Sequence, residues 1–270
     1  MVLAKQLKDR PFEELFSGFA APRGEDDLSR RQLRLQNAVK ATFERVNGAF
    51  HISDFEFRKS NFETVFSVAA FLQKFGVIFS LNQDLLLEKT YMAGGHARQV
   101  VRPGLGKVSD QCWRPDGQHS WPAGSSIQPY IKLHGSTDWE ARAGDSLLIM
   151  GNAKSGAITN IPLLRWYHDE FERCLRHGTT KLMIIGYSFQ DEHINEVIYS
   201  ASRDCGLRIF IIDPRGRAVL SDPKMAGALI PGPPRAIEEI TIIGELRRTL
   251  KEMFSGDRFA MGEIRKYFET

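Results

Sequence analysis

The sequence predicts an α/β fold: a Rossmann-like, doubly wound parallel sheet with helices on both faces and an irregular insertion. Short apolar runs alternate with amphipathic helical stretches of ten to fifteen residues, the signature of βαβ crossovers. Each apolar run stops abruptly at a cluster of polar turn residues. Composition agrees, since 42% of the 270 residues are hydrophobic and 26% charged, the balance of a globular chain able to bury a core.

In chain order, "DDLSRRQLRLQNAVKATFERVNG" (26–48) aligns Leu28, Leu35, Val39, Phe43 and Val46 on one helical face, with Asp26 or Asp27 as cap and Gly48 as stop. "SNFETVFSVAAFLQKFG" (60–76) has Ser60 and Glu63 in capping-box spacing and Gly76 at its end. "VIFSL" (77–81) follows as a strand short and apolar enough to be buried on both faces. Strands are also expected at 129–133, 181–186 and 207–212, and helices at 163–178 and 191–206, the latter with Asp191 as N-cap. These four strands are expected in one parallel sheet. Residues 94–128, rich in Gly, Pro, Ser and Trp, show neither period and are read as an irregular insertion or lid. The segment 245–270 carries two amphipathic helices, with Leu246, Leu250, Phe254, Phe259, Ile264 and Phe268 as apolar positions. The whole of 1–270 reads as one domain.

With 36 basic and 33 acidic side chains the net charge is +3, so no global field points to nucleic acid or an anionic membrane. Three scattered cysteines, Cys112, Cys174 and Cys205, make neither a disulfide framework nor a C-x-x-C metal ribbon. A cytoplasmic chain without membrane spans or signal peptide is expected.

Ligands of open parallel sheets bind at the carboxyl ends of strands. The strand exits here present Asn82, Gln83 and Asp84; His134, Gly135, Ser136 and Asp138; Gly186, Tyr187, Ser188 and Asp191; and Asp213, an acidic residue of the kind that bonds a ribose hydroxyl. Singly, each is an ordinary turn. His96, His119 and Cys112 lack ligand spacing, so no metal is expected. Trp113, Trp121 and Trp139 suit either base stacking or burial. "GNAKSG" (151–156) lacks the Walker spacing.

The ordered set "SLNQD", "KLHGS", "IIGYSFQDEHIN" and "IIDP" resembles the sirtuin-like family, particularly its prokaryotic antiphage-defence branch, over residues 60 to 215. The resemblance implies that NAD is the substrate and that Asn82 and Asp84 serve the nicotinamide ribose or a water. It implies His134 as the catalytic polar group, Ser80 and Gly135 as cofactor contacts beside it, and Gly186, Ser188 and Asp213 as contacts to the adenosine side. Histidine suits acid-base work because its unperturbed pKa lies near neutrality. Protein-deacylating members carry a zinc ribbon that these cysteines cannot build, so NAD glycohydrolase activity is the expected chemistry. The family's G-A-G-x-S phosphate loop has no counterpart before residue 26; "LFSGFAAPRG" (15–24) keeps one Ser-Gly pair and Arg23. That departure leaves a second expectation, a nucleotide-binding regulatory or scaffold subunit of a defence complex. By the same resemblance a homo-oligomer is expected, with a partner ATPase or a nucleic-acid-guided defence protein as activator.

Overall fold

The computed structural model describes residues 38, 40–50, 66–92, 97–142, 145–149, 154–221 and 240–269. Residues 40–49 are helical. In chain order there follow α1 (Val68–Leu72), β1 (Ile78–Ser80), a π-helix (Glu88–Met92), β2 (Gln99–Val101), β3 (Leu105–Ser109), β4 (Cys112–Pro115) and β5 (Ile127–Lys132). Next come β6 (Gly135–Arg142), β7 (Asp145–Leu148), α2 (Lys154–Asn160), α3 (Pro162–Leu175), β8 (Lys181–Ile185), α4 (Glu192–Cys205) and β9 (Arg208–Ile212). A 3-10 helix (Gly216–Ser221), β10 (Thr241–Leu246), α5 (Leu250–Phe254) and α6 (Arg258–Glu269) complete the chain. This is an α/β protein of parallel sheets flanked by helices, and its backbone divides into two compact units, Met1–Phe55 with Phe75–His168 and Glu56–Lys74 with Asp169–Thr270. Among the described residues no helix is long and apolar enough to cross a membrane.

In the first unit, β5 lies between β1 and β2, parallel to both, with Ser80 opposite Lys132 and Gln99 opposite Ile127. Every residue of β5 after the first is buried, as a strand covered on both faces must be. Arg98 donates to the carbonyls of Phe75 and Ile127, joining the entrances of β1 and β5. Gln128 accepts from the Tyr91 hydroxyl at 2.5 Å and donates to the Phe75 carbonyl at 2.7 Å. A second sheet has the order β3-β4-β6-β7. The stretch read as irregular therefore carries β2, β3 and β4, each three to five residues long. Their order comes from long-range pairing, which local composition does not register.

The second unit holds β8, β9 and β10 in parallel, with β9 central and buried after its first residue. The four foreseen strands are thus divided between two three-stranded sheets, β5 pairing with β1 and β2, and β9 with β8 and β10. On α4, Ile194, Val197, Ile198 and Ala201 are buried and Gly206 ends the helix in the left-handed region at φ 69°. Asp191 occupies the N-cap position but makes no side-chain cap. Phe71 meets Phe254 at 5.4 Å and Phe268 at 6.3 Å, edge to face.

Some boundaries move. Asp26, Asp27, Ser60 and Glu63 lie outside the described residues; α1 is capped by Ser67, whose hydroxyl accepts from Ala70 N. Helix continues through Gly48, with Val46 exposed and Asn47 buried, since Asn47 finds polar partners that replace solvent. Leu246 belongs to β10, and Leu250 and Phe259 are exposed, Phe259 by 70%. Phe254 and Ile264 are buried as expected, and Met253, Ala260, Met261 and Tyr267 complete the inner stripe.

Candidate functional site

Two strand exits of the first unit are bonded into one assembly. The β1–β5 ladder ends where Leu133 N donates to Ser80 O at 3.0 Å. Ser80 Oγ then accepts from Asn82 N at 3.2 Å, turning the chain so that Asn82 is exposed. Gln83 is half-buried, and its side-chain amide donates to the carbonyls of His134 (2.9 Å) and Ile149 (2.5 Å). Its own carbonyl accepts from Thr137 N at 3.1 Å. Asp84 Oδ1 accepts from Leu86 N at 2.9 Å, so this carboxylate starts the helical turn that runs into the π-helix.

The second exit is tighter. His134 is 4% exposed, and its carbonyl also accepts from Ile149 N at 3.2 Å. Gly135 has φ 77°, and a Cβ there would lie 2.0 Å from the Leu147 carbonyl oxygen. Only glycine permits that turn and that approach. The consequence is that His134 and Asn82 differ in setting: one is a buried imidazole, the other an exposed amide. Both residues follow strand ends, Asn82 after β1 and His134 after β5, but His134 is buried where β6 starts directly after it and pairs with β7.

Several buried polar groups join these turns. Asn47 donates to Thr137 Oγ1 at 3.2 Å and accepts from Leu85 N at 2.8 Å, while Lys89 donates to its carbonyl at 2.6 Å. Lys132, 1% exposed, donates to the Asp84 carbonyl and to Ser136 Oγ (2.9 Å), and lies 2.7 Å from Glu88 Oε1. Burial pushes its ammonium below the ordinary lysine range, against the attraction of Glu88. Burial also raises the Tyr130 phenol well above its ordinary value, assisted by the Glu88 charge and opposed by its bond with Ser80.

In the second unit, Gly186 leaves β8 at φ 61°, exposed, with its N–H on the Ile212 carbonyl at 2.9 Å. The exits of β8 and β9 are thereby adjacent. Ser188 is half-buried and is followed by Phe189 at φ 56°, a left-handed phenylalanine. Such strain persists only where neighbours enforce it. Here the Asn195 amide donates to Phe189 O at 2.8 Å and its oxygen accepts from the Tyr187 hydroxyl at 2.8 Å. Asp213, buried, donates its N–H to Leu246 O at 3.1 Å, and its Oδ1 accepts from Arg215 N at 2.8 Å.

Sequence reading placed Gln83 and Tyr187 among the polar strand exits without giving them a chemical role, and it did not single out Lys132, Asn47 or Asn195. Lys132 carried a signal: a lysine inside "IQPYIKLHG", at a position expected to be buried, requires a counter-charge. Other candidates separate. Trp139 is a core residue meeting Tyr167 edge to face at 6.0 Å, Trp113 lies under Arg102 at 4.6 Å, and His119 stacks on Trp166 at 5.2 Å. His96, residues 151–153 and the stretch 15–24 with Arg23 lie outside the described residues.

Residues 76–229, just over half of the chain, match the family model of the SIR2-like domain. No curated protein matches the chain.

Proposed function

Given that the chain belongs to the SIR2-like family, whose members generally use NAD, we propose that it is an NAD glycohydrolase, converting NAD and water to nicotinamide and ADP-ribose. The observation that carries this reading is the bonding of the two exits of the first unit, in which Gln83 spans from the Asn82–Asp84 turn to the His134 carbonyl. In this reading three residues of those turns perform the chemistry. Breaking the bond between nicotinamide and ribose develops positive charge on the sugar, which the Asp84 carboxylate offsets. Asn82 orients a ribose hydroxyl or the attacking water, and His134 accepts a proton from it. Ser80 and Gly135 complete the surroundings of these groups.

For the second unit the proposal stands separately: Gly186, Ser188 and Asp213 contact ribose and phosphate of a nucleotide. The exposed left-handed glycine and the acidic exit of β9 support it. We assign the chain to an antiphage system, acting as a cytoplasmic homo-oligomer held inactive until a partner ATPase or nucleic-acid-guided protein engages it. Of the lid expected over 94–128, the part proposed to move is 116–126, which follows β4 and carries no strand or helix; amide exchange there that stays unchanged at saturating NAD removes it.

Purified protein incubated with NAD, with and without proteins encoded beside it, should release nicotinamide. Absence of release in every combination, with NAD still binding, establishes the alternative of a nucleotide-binding regulatory or scaffold subunit. Asp84 Oδ1 already serving as a turn acceptor is the observation that favours that alternative.

A further inference from the structure

A charged side chain lies under the two turns of the first unit, and nothing in the chemistry above uses it. Lys132 ends β5, the strand buried on both faces, and is itself 1% exposed. An ammonium offers three donors and no acceptor, and burying it is unfavourable unless charge and hydrogen bonds are both met. Around Lys132 Nζ stand the Asp84 carbonyl, the Ser136 hydroxyl at 2.9 Å and the Glu88 carboxylate at 2.7 Å. These acceptors come from three separate segments: the turn after β1, the start of β6, and the π-helix.

The charges around it are matched as well. Glu88 lies 4.0 Å from Arg102, which pairs with Asp138 at 2.8 Å, and all three of these side chains are at most 8% exposed. Two cations and two anions are therefore buried together. A methionine would fill this strand position without desolvating a charge, and buried ion pairs are often no more stabilising than apolar replacements. What methionine cannot do is bond a backbone carbonyl of one turn and a hydroxyl of the other at once.

We propose that Lys132 is a positioning residue, whose ammonium ties the Asn82–Asp84 turn to the His134–Ser136 turn and sets their relative placement without touching substrate. The activity half of this inference rests on the NAD reading above; the structural half does not. Gln83 and Lys132 bridge the same two turns, Gln83 through the His134 carbonyl and Lys132 through Ser136 Oγ. Removing Lys132 leaves one of these two bridges.

Lys132→Met alone leaves buried Glu88 with only the more distant Arg102, itself paired to Asp138, as counter-charge and is expected to fold poorly. The test is therefore the double variant Lys132→Met/Glu88→Gln, which removes both charges at near-constant volume, with Ser136→Ala as a milder variant that breaks one bond. Amide hydrogen exchange is compared at Leu86 and Thr137, which report the turns, and at Phe79 and Ile131, which report the strands. Exchange at the turns should quicken by about tenfold or more while the strands stay within about twofold. In nicotinamide release, kcat should fall by about tenfold or more with KM nearly constant, because misplacement by an ångström weakens chemistry more than binding. Ser136→Ala should shift both readouts in the same direction by less. Unchanged exchange at the turns, or equal quickening in turns and strands, overturns the positioning role whether or not NAD is the substrate. Local quickening with wild-type kcat overturns its link to chemistry. Wild-type protein that binds no NAD overturns the NAD reading, and the exchange comparison still decides the tie.

Discussion

Gln83 donates its side-chain amide to the His134 carbonyl at 2.9 Å across a sequence gap of 51 residues. The same amide reaches the Ile149 carbonyl, so one side chain holds the exits of β1, β5 and β7 together. Replacing it by alanine leaves two carbonyls without that donor. Gln83→Ala should lower stability by about 1–3 kcal/mol and reduce nicotinamide release beyond the loss of folded protein. Thermal melts and turnover on one preparation check this; activity that follows folded fraction alone refutes the second half.

His134→Ala and Asn82→Ala should each lower NAD cleavage by about a hundredfold or more, with different costs to the fold. His134 is buried, so its loss should cost about 1–3 kcal/mol, whereas exposed Asn82 should change stability by no more than about 0.5 kcal/mol. Near wild-type turnover in folded His134→Ala removes this imidazole from the chemistry.

Glycines 135 and 186 both sit at positive φ, yet they should respond differently to alanine. At Gly186 nothing lies within 4 Å of an added Cβ, leaving only the left-handed penalty of about 1–2 kcal/mol. At Gly135 the Cβ meets a backbone oxygen at 2.0 Å, adding overpacking of about 1–3 kcal/mol. Comparing chemical denaturation of the two variants ranks them; equal losses contradict the close approach at Gly135.

Acid sensitivity has a local source in the second unit. Glu245 is held below its ordinary carboxylate value, first by the hydrogen bond from Arg217 N and then by the charges of Arg247 and Arg217. A carboxyl lowered in the folded state contributes stability that is complete above its unfolded pKa and is lost as pH falls through the folded one. Wild-type stability should therefore decline below about pH 4.5, the ordinary value, and Glu245→Gln should flatten that limb. Parallel acid titrations of both proteins test it, and identical slopes would refute it.

Much of this architecture is legible because four apolar runs end at polar residues. The strands Ile78–Ser80, Ile127–Lys132, Lys181–Ile185 and Arg208–Ile212 fall where hydrophobic pattern puts them, as do α3 and α4. What pattern conceals is pairing over distance. Gln99–Val101 is three residues long and becomes a strand only against Ile127–Pro129. Glu88 and Lys132 are 44 positions apart, and Asn47 reaches Thr137 over 90, so neither partner is evident from its own neighbourhood. The polar exits, Gln83 among them, are visible in the sequence; Lys132, Glu88 and Asn47, which support them from a distance, are not.

A strand apolar on both faces has a weakness, since sliding it along its neighbours buries nearly the same surface. The central strand of the first unit escapes this through two polar side chains. Gln128 and Lys132 point to the same face, four residues or about 13 Å apart, and each has partners fixed at its own end of the strand. A shift by one residue would turn both to the opposite face. A shift by two would keep the face but pull an amide and an ammonium off their acceptors together. Misaligned pairings are thus penalised at both ends, and the chain selects one alignment of β5 during folding through the two side chains that an otherwise greasy strand accommodates least readily.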